Sequence, residues 1–459
     1  MINKILLQDV LEASLEKGAD FAEIFVEDTI SNDLFMSALK LKKSTTNRVF
    51  GIGIRIIKGL KSVYAYTNST DKETLLKTVN EASLALGDLK LNKSITLKER
   101  LNLNIHPIIY VPSSVSTLDK KAIIERASVS AKNYDKSIVQ VEATYKDSDQ
   151  KIIIANSLGL YTTDRRVHSR MTITSIASNG VENQTGYIAP GRSMGIEMFD
   201  TISPEKCGLD ASQMAITMLN AKPCPSGKMT VAIENGFGGV IFHEACGHAL
   251  EASSVSKNLS VFSNKLGEKI ASSKVTAIDD GTIKNAWGSI NIDDEGNPSE
   301  KKVLIENGIL KSYMIDYLNG KRMGVKANGS SRRESYKFAP TSRMTNTYIA
   351  AGEDESSDII ASIDNGLYAK RMGGGSVNPI TGEFNFSVLE GYLVKNGKIK
   401  EPVRGASLIG KSTEILNNID MVGKNLSLGS GTCGAASGNI PTNVGQPLIR
   451  VSEITVGGR

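Results

Sequence analysis

The sequence predicts an α+β protein in two parts: an N-terminal mixed domain of helices and antiparallel strands over residues 1–222, and a C-terminal β-rich domain over 223–459 with one embedded helix. Three observations carry this. Helix-like and strand-like periodicities alternate through the first half. Lys222-Pro223-Cys224-Pro225-Ser226-Gly227 then interrupts both with two prolines and a glycine. Beyond it, short strand-like runs are punctuated by Asn-Gly turns.

In order, Ile5, Leu6, Val10, Leu11 and Leu15 recur at helical spacing and stop at Gly18, a C-cap signal. Phe21–Glu27, Leu34–Leu41, Arg48–Ile57 and Lys61–Thr67 read as strands, with Gly59 in a turn. A helix begins at Thr70 or Asp71 and carries Leu75, Leu76, Val79, Ala82 and Leu84. Residues 86–115, with Pro107 and Pro112, read as a connector. A second round follows: a helix over about 118–134, then strands over Val139–Tyr145, Lys151–Asn156 and Met171–Ser178. Helix followed by antiparallel strands thus occurs twice, hinting at two similar layers, and a helix over 205–219 closes this half. In the second half Met229–Ile233 is a strand; Asn307-Gly308, Asn319-Gly320 and Asn396-Gly397 are hairpin signals. Only Ser357–Ile363 and Thr413–Asn418 look helical besides the embedded helix.

The composition, 40% hydrophobic and 22% charged, is that of a globular chain with ample core. A net charge of +5 over 459 residues is too mild to argue for nucleic acid or a membrane. No apolar run approaches the roughly 18 residues that a membrane helix needs, and the first residues lead into an amphipathic helix rather than a signal peptide. Cys207, Cys224, Cys246 and Cys433 form no CxxC pair and no dense framework. A reducing cytoplasm is the simplest location.

The embedded helix holds the chemistry. Ile241-Phe242-His243-Glu244-Ala245-Cys246-Gly247-His248-Ala249-Leu250 contains two of the chain's four histidines, with a glutamate directly after the first. Neutral imidazoles bind zinc, and a catalytic zinc site has three protein ligands and a water whose pKa falls to about 7. A carboxylate next to a ligand can take that water's proton. His243 and His248 are therefore candidate ligands and Glu244 the candidate base. The spacing departs from H-E-x-x-H. At roughly 100° per residue, i and i+4 lie about 40° apart on a regular helix, whereas i and i+5 lie about 140° apart. A shared metal thus requires a bulge or local unwinding between Glu244 and Ala249, and Gly247 is the residue most able to take unusual backbone angles. For a third ligand Glu251 lies three residues after His248, Cys246 lies inside the motif, and Cys433 sits in the glycine-rich Gly429-Ser430-Gly431-Thr432-Cys433-Gly434. A thiolate is a strong zinc ligand, so the two cysteines lead.

The stretch Phe242–Glu251 resembles the HExxxH signature of the TldD/PmbA family of metallopeptidases. Further stretches are similar to that family's C-terminal domain: Asp293-Asp294-Glu295-Gly296, Arg332-Arg333-Glu334-Ser335-Tyr336 with Arg343–Tyr348, Gly373-Gly374-Gly375-Ser376-Val377-Asn378-Pro379, and Asn443-Val444-Gly445-Gln446-Pro447. The resemblance implies one Zn2+ per chain on His243, His248 and Cys433, and a β-rich catalytic domain. It implies a motif-bearing, TldD-like member. It further implies short or unfolded peptides as substrates, cleaved inside a homodimer or a heterodimer with a paralogous subunit that encloses the active site. Such a site admits extended chains, which edge-strand pairing would hold by backbone hydrogen bonds. A cysteine ligand softens the Lewis acid, so slow turnover is expected. The alternatives are a non-catalytic peptide-binding partner subunit and a zinc amidohydrolase acting on a non-peptide amide.

Other motifs carry less. Gly405–Ser412 fits the phosphate-loop pattern GxxxxGK[ST], but no βαβ succession surrounds it; Gly429-x-Gly431-x-x-Gly434 fits a dinucleotide fingerprint with no helix to follow. Pro223-Cys224 begins a zinc-deaminase PCxxC, but Gly227 stands where the second cysteine belongs. His106 and His168 read as ordinary surface or core histidines; Arg332, Arg333 and Arg343 could anchor a peptide carboxylate or pair with Glu334 and neighbouring acids, the structural reading being slightly preferred; Tyr336 is a conceivable oxyanion donor.

Overall fold

Two long helix-backed hairpins dominate the first half. The structure, a computed structural model, describes residues 2–87, 93–378 and 380–458. Part of the connector and Pro379 of the Gly373-to-Pro379 stretch lie outside them. Helix α1 (Lys4–Leu15) is capped by the Asn3 side chain, which accepts from the Leu6 N–H at 2.8 Å, and it buries Leu7, Val10, Leu11 and Leu15. Strands β1 (Phe21–Ser37), β2 (Lys40–Lys58) and β3 (Lys61–Thr67) follow, then α2 (Lys72–Ser83) and α3 (Thr117–Lys132), capped by Asp71 and Ser116. Strands β4 (Ile138–Asn156), β5 (Leu160–Ser178) and β6 (Asn183–Ile188) and helix α4 (Pro204–Leu219) complete the set.

The expected break between Phe21–Glu27 and Leu34–Leu41 is absent: β1 runs unbroken for 17 residues, and Leu41 belongs to β2. The polar residues among 28–33 stay in the ladder because neighbours satisfy them. Arg48 forks onto Asp28 at 2.8 Å, Thr46 donates to Asn32 at 2.7 Å, and Asn32 donates to Asp147 at 2.6 Å. The two rounds of helix and strands also share one sheet rather than forming separate layers, in the antiparallel order β3-β2-β1-β4-β5. Helices α1 and α2 cover one end of it, α3 and α4 the other.

The second half is two sheets around one core. Its strands include β7 (Gly227–Ile233), β8 (Ala277–Asp280), β9 (Lys301–Glu306), β10 (Asn346–Ile349), β11 (Asn365–Val377), β12 (Glu383–Lys395), β13 (Ser407–Lys411), β14 (Ser427–Ala435), β15 (Gly438–Gln446) and β16 (Ile449–Gly457). The pairings β11-β7-β16-β13-β12 close back onto β11, so these five form a small barrel. The other sheet runs β9-β8-β10-β15-β14. Asn307-Gly308 and Asn396-Gly397 turn hairpins with positive φ at both residues, as expected. Asn319-Gly320 does not: it lies inside a helix, Tyr317–Met323, because the N-capping Asp316 carboxylate accepts the Asn319 N–H at 2.7 Å. The phosphate-loop and dinucleotide look-alikes fall largely on β13 and on β14. Strand geometry points backbone amides alternately to two sides, so neither can wrap a phosphate. Among the described residues no helix is long and apolar enough to cross a membrane.

A buried ionic network joins the halves. Arg55, 2% exposed in its side chain, meets Glu23 at 2.9 Å and Glu295 at 2.5 Å; Arg333 meets Glu23 at 2.6 Å, and Arg166 meets Asp294 at 2.6 Å. Burial pushes the Glu295 carboxyl up, and the charge of Arg55 opposes it. Removing one partner strands the others' charge, so Glu23→Ala is expected to cost about 3–5 kcal/mol. Denaturant unfolding of the variant measures this, and a loss under about 1 kcal/mol would show the network to be solvated instead.

Candidate metal centre

Strand β7 delivers the chain through Gly236, at φ 69°, into a helix that changes character along its length. Val240–Phe242 is α-helical, His243–Gly247 is one π-helical turn, and His248–Leu250 tightens to 3-10 geometry. The His248 N–H donates to the His243 carbonyl, a bond spanning five residues. That bond stacks residues five apart. The imidazole centroids therefore lie 5.1 Å apart, with the rings nearly perpendicular at 85°. The distortion expected from the HExxxH spacing is present.

Its cause differs from the one anticipated. Gly247 has ordinary helical angles, φ −53° and ψ −53°. Close approach requires the glycine: a Cβ there would meet Met344 Sδ at 2.3 Å, and Met344 is fully buried. Gly247→Ala is thus expected to cost about 1–3 kcal/mol by overpacking. Denaturant unfolding should show that loss shrinking in a Met344→Ala background, because the two residues share one space.

Strand β14 brings Cys433 to this turn. Its Sγ lies 3.3 Å from His243 Nε2 and 3.3 Å from His248 Nε2, and the three donor atoms all fall within 4.8 Å of one another. Zinc–nitrogen distances of about 2.0 Å and a zinc–sulfur distance of about 2.3 Å at a tetrahedral angle separate N and S by roughly 3.5 Å. The donor set fits a zinc ion. Burial pushes the Cys433 thiol up, but the charges and hydrogen bonds of His243 and His248 outweigh it and bring the group down to about 3. Burial opposes a proton on His248, and the negative charges of Glu251 and Cys433 overcome that, holding His248 well above its usual range. Both shifts favour a negative charge on Cys433 and a proton on His248, and a metal ion bound at His248 would have to displace that proton.

The other candidate ligands have other places. Cys246 is fully buried in the apolar core, burial pushes its thiol well up, and it stands outside the donor cluster. Glu251 Oε1 lies 3.2 Å from His248 Nδ1, the nitrogen facing away from Cys433, where a carboxylate fixes ring orientation and tautomer. Glu244 is more solvent-accessible than Glu251, with Oε2 3.7 Å from His248 Nε2.

Arg343 and Arg332 are buried against backbone carbonyls rather than paired with Glu334. Arg343 donates to the carbonyl of Cys433 at 2.6 Å, and Arg332 to those of Met344 at 2.9 Å and Pro441 at 2.7 Å. Tyr336 is buried with Phe25, Ile152, Ile154 and Ile292 between the halves, away from the cluster. His106 is held by the carbonyls of Gly281 and Ile290, and His168 packs edge-on against Trp287. Trp287 has a part that its sequence context does not announce: its Nε1 donates to the Gly431 carbonyl at 2.6 Å and braces β14. No spacing signal marks a lone tryptophan as the support of a strand 144 residues away.

Residues 226–458 match the family model of the PmbA/TldA metallopeptidase C-terminal domain, 110–219 that of its central domain and 22–86 that of its domain 1. A metalloprotease TldD homolog of Buchnera aphidicola subsp. Acyrthosiphon pisum is 36% identical over 468 residues, covering 99% of this chain and 97% of the relative. A zinc metalloprotease TldD homolog of Saccharolobus solfataricus is 28% identical over 463 residues, covering 96% and 98%. In fold the chain is similar to a Thermotoga maritima protein (TM-score 0.81, 22% identity, 99% and 100% covered). It is also similar to TldE from Thermococcus kodakarensis (TM-score 0.77, 19% identity, 99% and 100% covered).

Proposed function

Because the chain belongs to the PmbA/TldD family of metallopeptidases, we propose that it hydrolyses short or unfolded peptides at one zinc ion held by His243, His248 and Cys433, with Glu244 as the base. The observation that carries this is the meeting of three donor atoms from two distant segments at a π-helical turn that also presents Glu244. When bound, the metal would supply a water of lowered pKa and polarise the scissile carbonyl. Glu244 Oε2 accepts the water's proton and returns it to the departing nitrogen. Glu251 holds the His248 ring by its Nδ1 side. The thiolate donates more charge than a third imidazole, which favours slow turnover.

Docking along a strand edge finds support at β11 rather than β14. The outward carbonyls of Gly431 and Cys433 on β14 are already taken by Trp287 and Arg343. On β11, β7 pairs only with Gly366–Ala369, so Gly373–Val377 has β12 on one side and no strand on the other among the described residues. β11 also packs against the motif turn. At Gly374 a Cβ would meet nothing within 4 Å, leaving room for a peptide backbone. We further propose that a second copy or a paralogous subunit closes this face into a chamber that excludes folded proteins. All four cysteines are free, which suits the reducing cytoplasm we assign it to.

The test is zinc analysis of the purified protein beside cleavage of an unstructured peptide and of small amides. Peptide cleavage should vanish on chelation, return with zinc, and exceed turnover of the amides. A zinc-free protein that cleaves peptides, or preference for small amides, would overturn the proposal.

A further inference from the structure

His248 and Cys433 are 185 residues apart and reach the centre on separate elements, so their spacing must be set by something that grips both. Arg343 does so. Its side chain is wholly enclosed, at 0% exposure. On one side Nη2 donates to the Cys433 carbonyl at 2.6 Å, and Nη1 donates to Ser437 Oγ and the Gly438 carbonyl, both at 2.9 Å. The guanidinium thus clasps the turn that joins β14 to β15. On the other side Nε faces Glu251 Oε1 at 3.9 Å, an ion-pair contact, and neither atom has a hydrogen-bond partner among the described residues. The same Glu251 oxygen lies 3.2 Å from His248 Nδ1.

We propose that Arg343 is a positioning residue that fixes the separation of the His248 and Cys433 donor atoms, and through it the centre's affinity for metal. This rests on the ligand set proposed above. Only arginine can reach all of these acceptors at once, because its rigid planar fork presents five donors, while a lysine ammonium at that depth reaches one or two of them. Packing alone does not call for the charge, since an apolar side chain fills a buried volume without the desolvation cost. The acceptors it satisfies belong to the ligand-bearing turn, and its remaining donor faces the carboxylate that lies beside a ligand.

The experiment compares wild type, Arg343→Lys and Glu251→Gln as full chains. Zinc affinity is read by competition with a chromogenic chelator. The thiolate-to-metal charge-transfer band is read after loading with Co2+, and folding of the zinc-free protein by thermal unfolding. Arg343→Lys should bind zinc about 10- to 100-fold more weakly and shift the cobalt band, while the zinc-free protein still unfolds cooperatively. Should that variant fail to fold, Glu251→Gln carries the test. It leaves every bond from Arg343 to the β14–β15 turn in place and removes the negative charge that faces both Arg343 Nε and His248 Nδ1, and the same direction of change is expected. A folded variant with zinc affinity within about twofold of wild type and an unshifted cobalt band overturns the positioning role. Wild type that binds no zinc overturns the ligand set itself, so the two failures are told apart.

Discussion

Cys433→Ser is expected to empty the metal centre: zinc falls from one per chain towards none after dialysis, and peptide hydrolysis falls with it. The side chain keeps its size, so packing around β14 changes little, but the donor changes kind. Cys433 is held as a thiolate, down to about 3, by the two imidazoles that overcome its burial. A serine hydroxyl in that place stays protonated, and zinc loses its one anionic ligand. Losing a residue that merely orients a ligand costs about 10- to 100-fold in metal affinity, so losing the ligand should cost more. Metal analysis with near-ultraviolet dichroism as the folding control decides it. Full zinc in a folded Cys433→Ser protein would remove Cys433 from the ligand set and reopen the case for Glu251, 3.2 Å from His248.

How far the sequence carries this centre follows from which forces are local. His243, Glu244 and His248 are legible because their spacing conflicts with a straight helix, and the conflict has one economical resolution, the five-residue backbone bond observed at the turn. Cys433 is legible only through resemblance. By residue type alone Cys246 competes with it, and what separates them is environment: Cys246 is walled by apolar groups, while Cys433 faces two imidazoles. Arg343 and Trp287 hold β14 by bonds to carbonyls, which leave no residue-type signature in the strand that receives them. Among the elements, helices with side-chain caps such as those at Asp71 and Ser116 lie where their periodicity places them. Residues 28–33 of β1 read as a break because the side chains of Asp28 and Asn32 find their partners on β2 and β4, across the sheet. Asn319-Gly320 reads as a hairpin because nothing in the dipeptide itself shows that a helix cap at Asp316 outcompetes its turn preference.

Glu244→Gln should separate binding of the metal from chemistry. The amide has the carboxylate's shape, and Glu244 stands beside the ligand set rather than in it, with Oε2 3.7 Å from His248 Nε2. The variant is therefore expected to keep one zinc per chain and the wild-type fold. What it lacks is a group that can take a proton from water and return it to a leaving nitrogen, a contribution of about 10²- to 10⁴-fold. The loss should appear in kcat with KM nearly unchanged, because the interaction removed is made only in the transition state. Single-turnover cleavage of an unstructured peptide by zinc-loaded wild type and variant measures the chemical step. Set beside Cys433→Ser, the pair gives two opposite patterns: metal lost with activity, and activity lost with metal kept. A Glu244→Gln protein that stays within about tenfold of wild type would place the proton transfer on another group, and Glu251, the other acid at this turn, is buried and already turned towards His248 Nδ1.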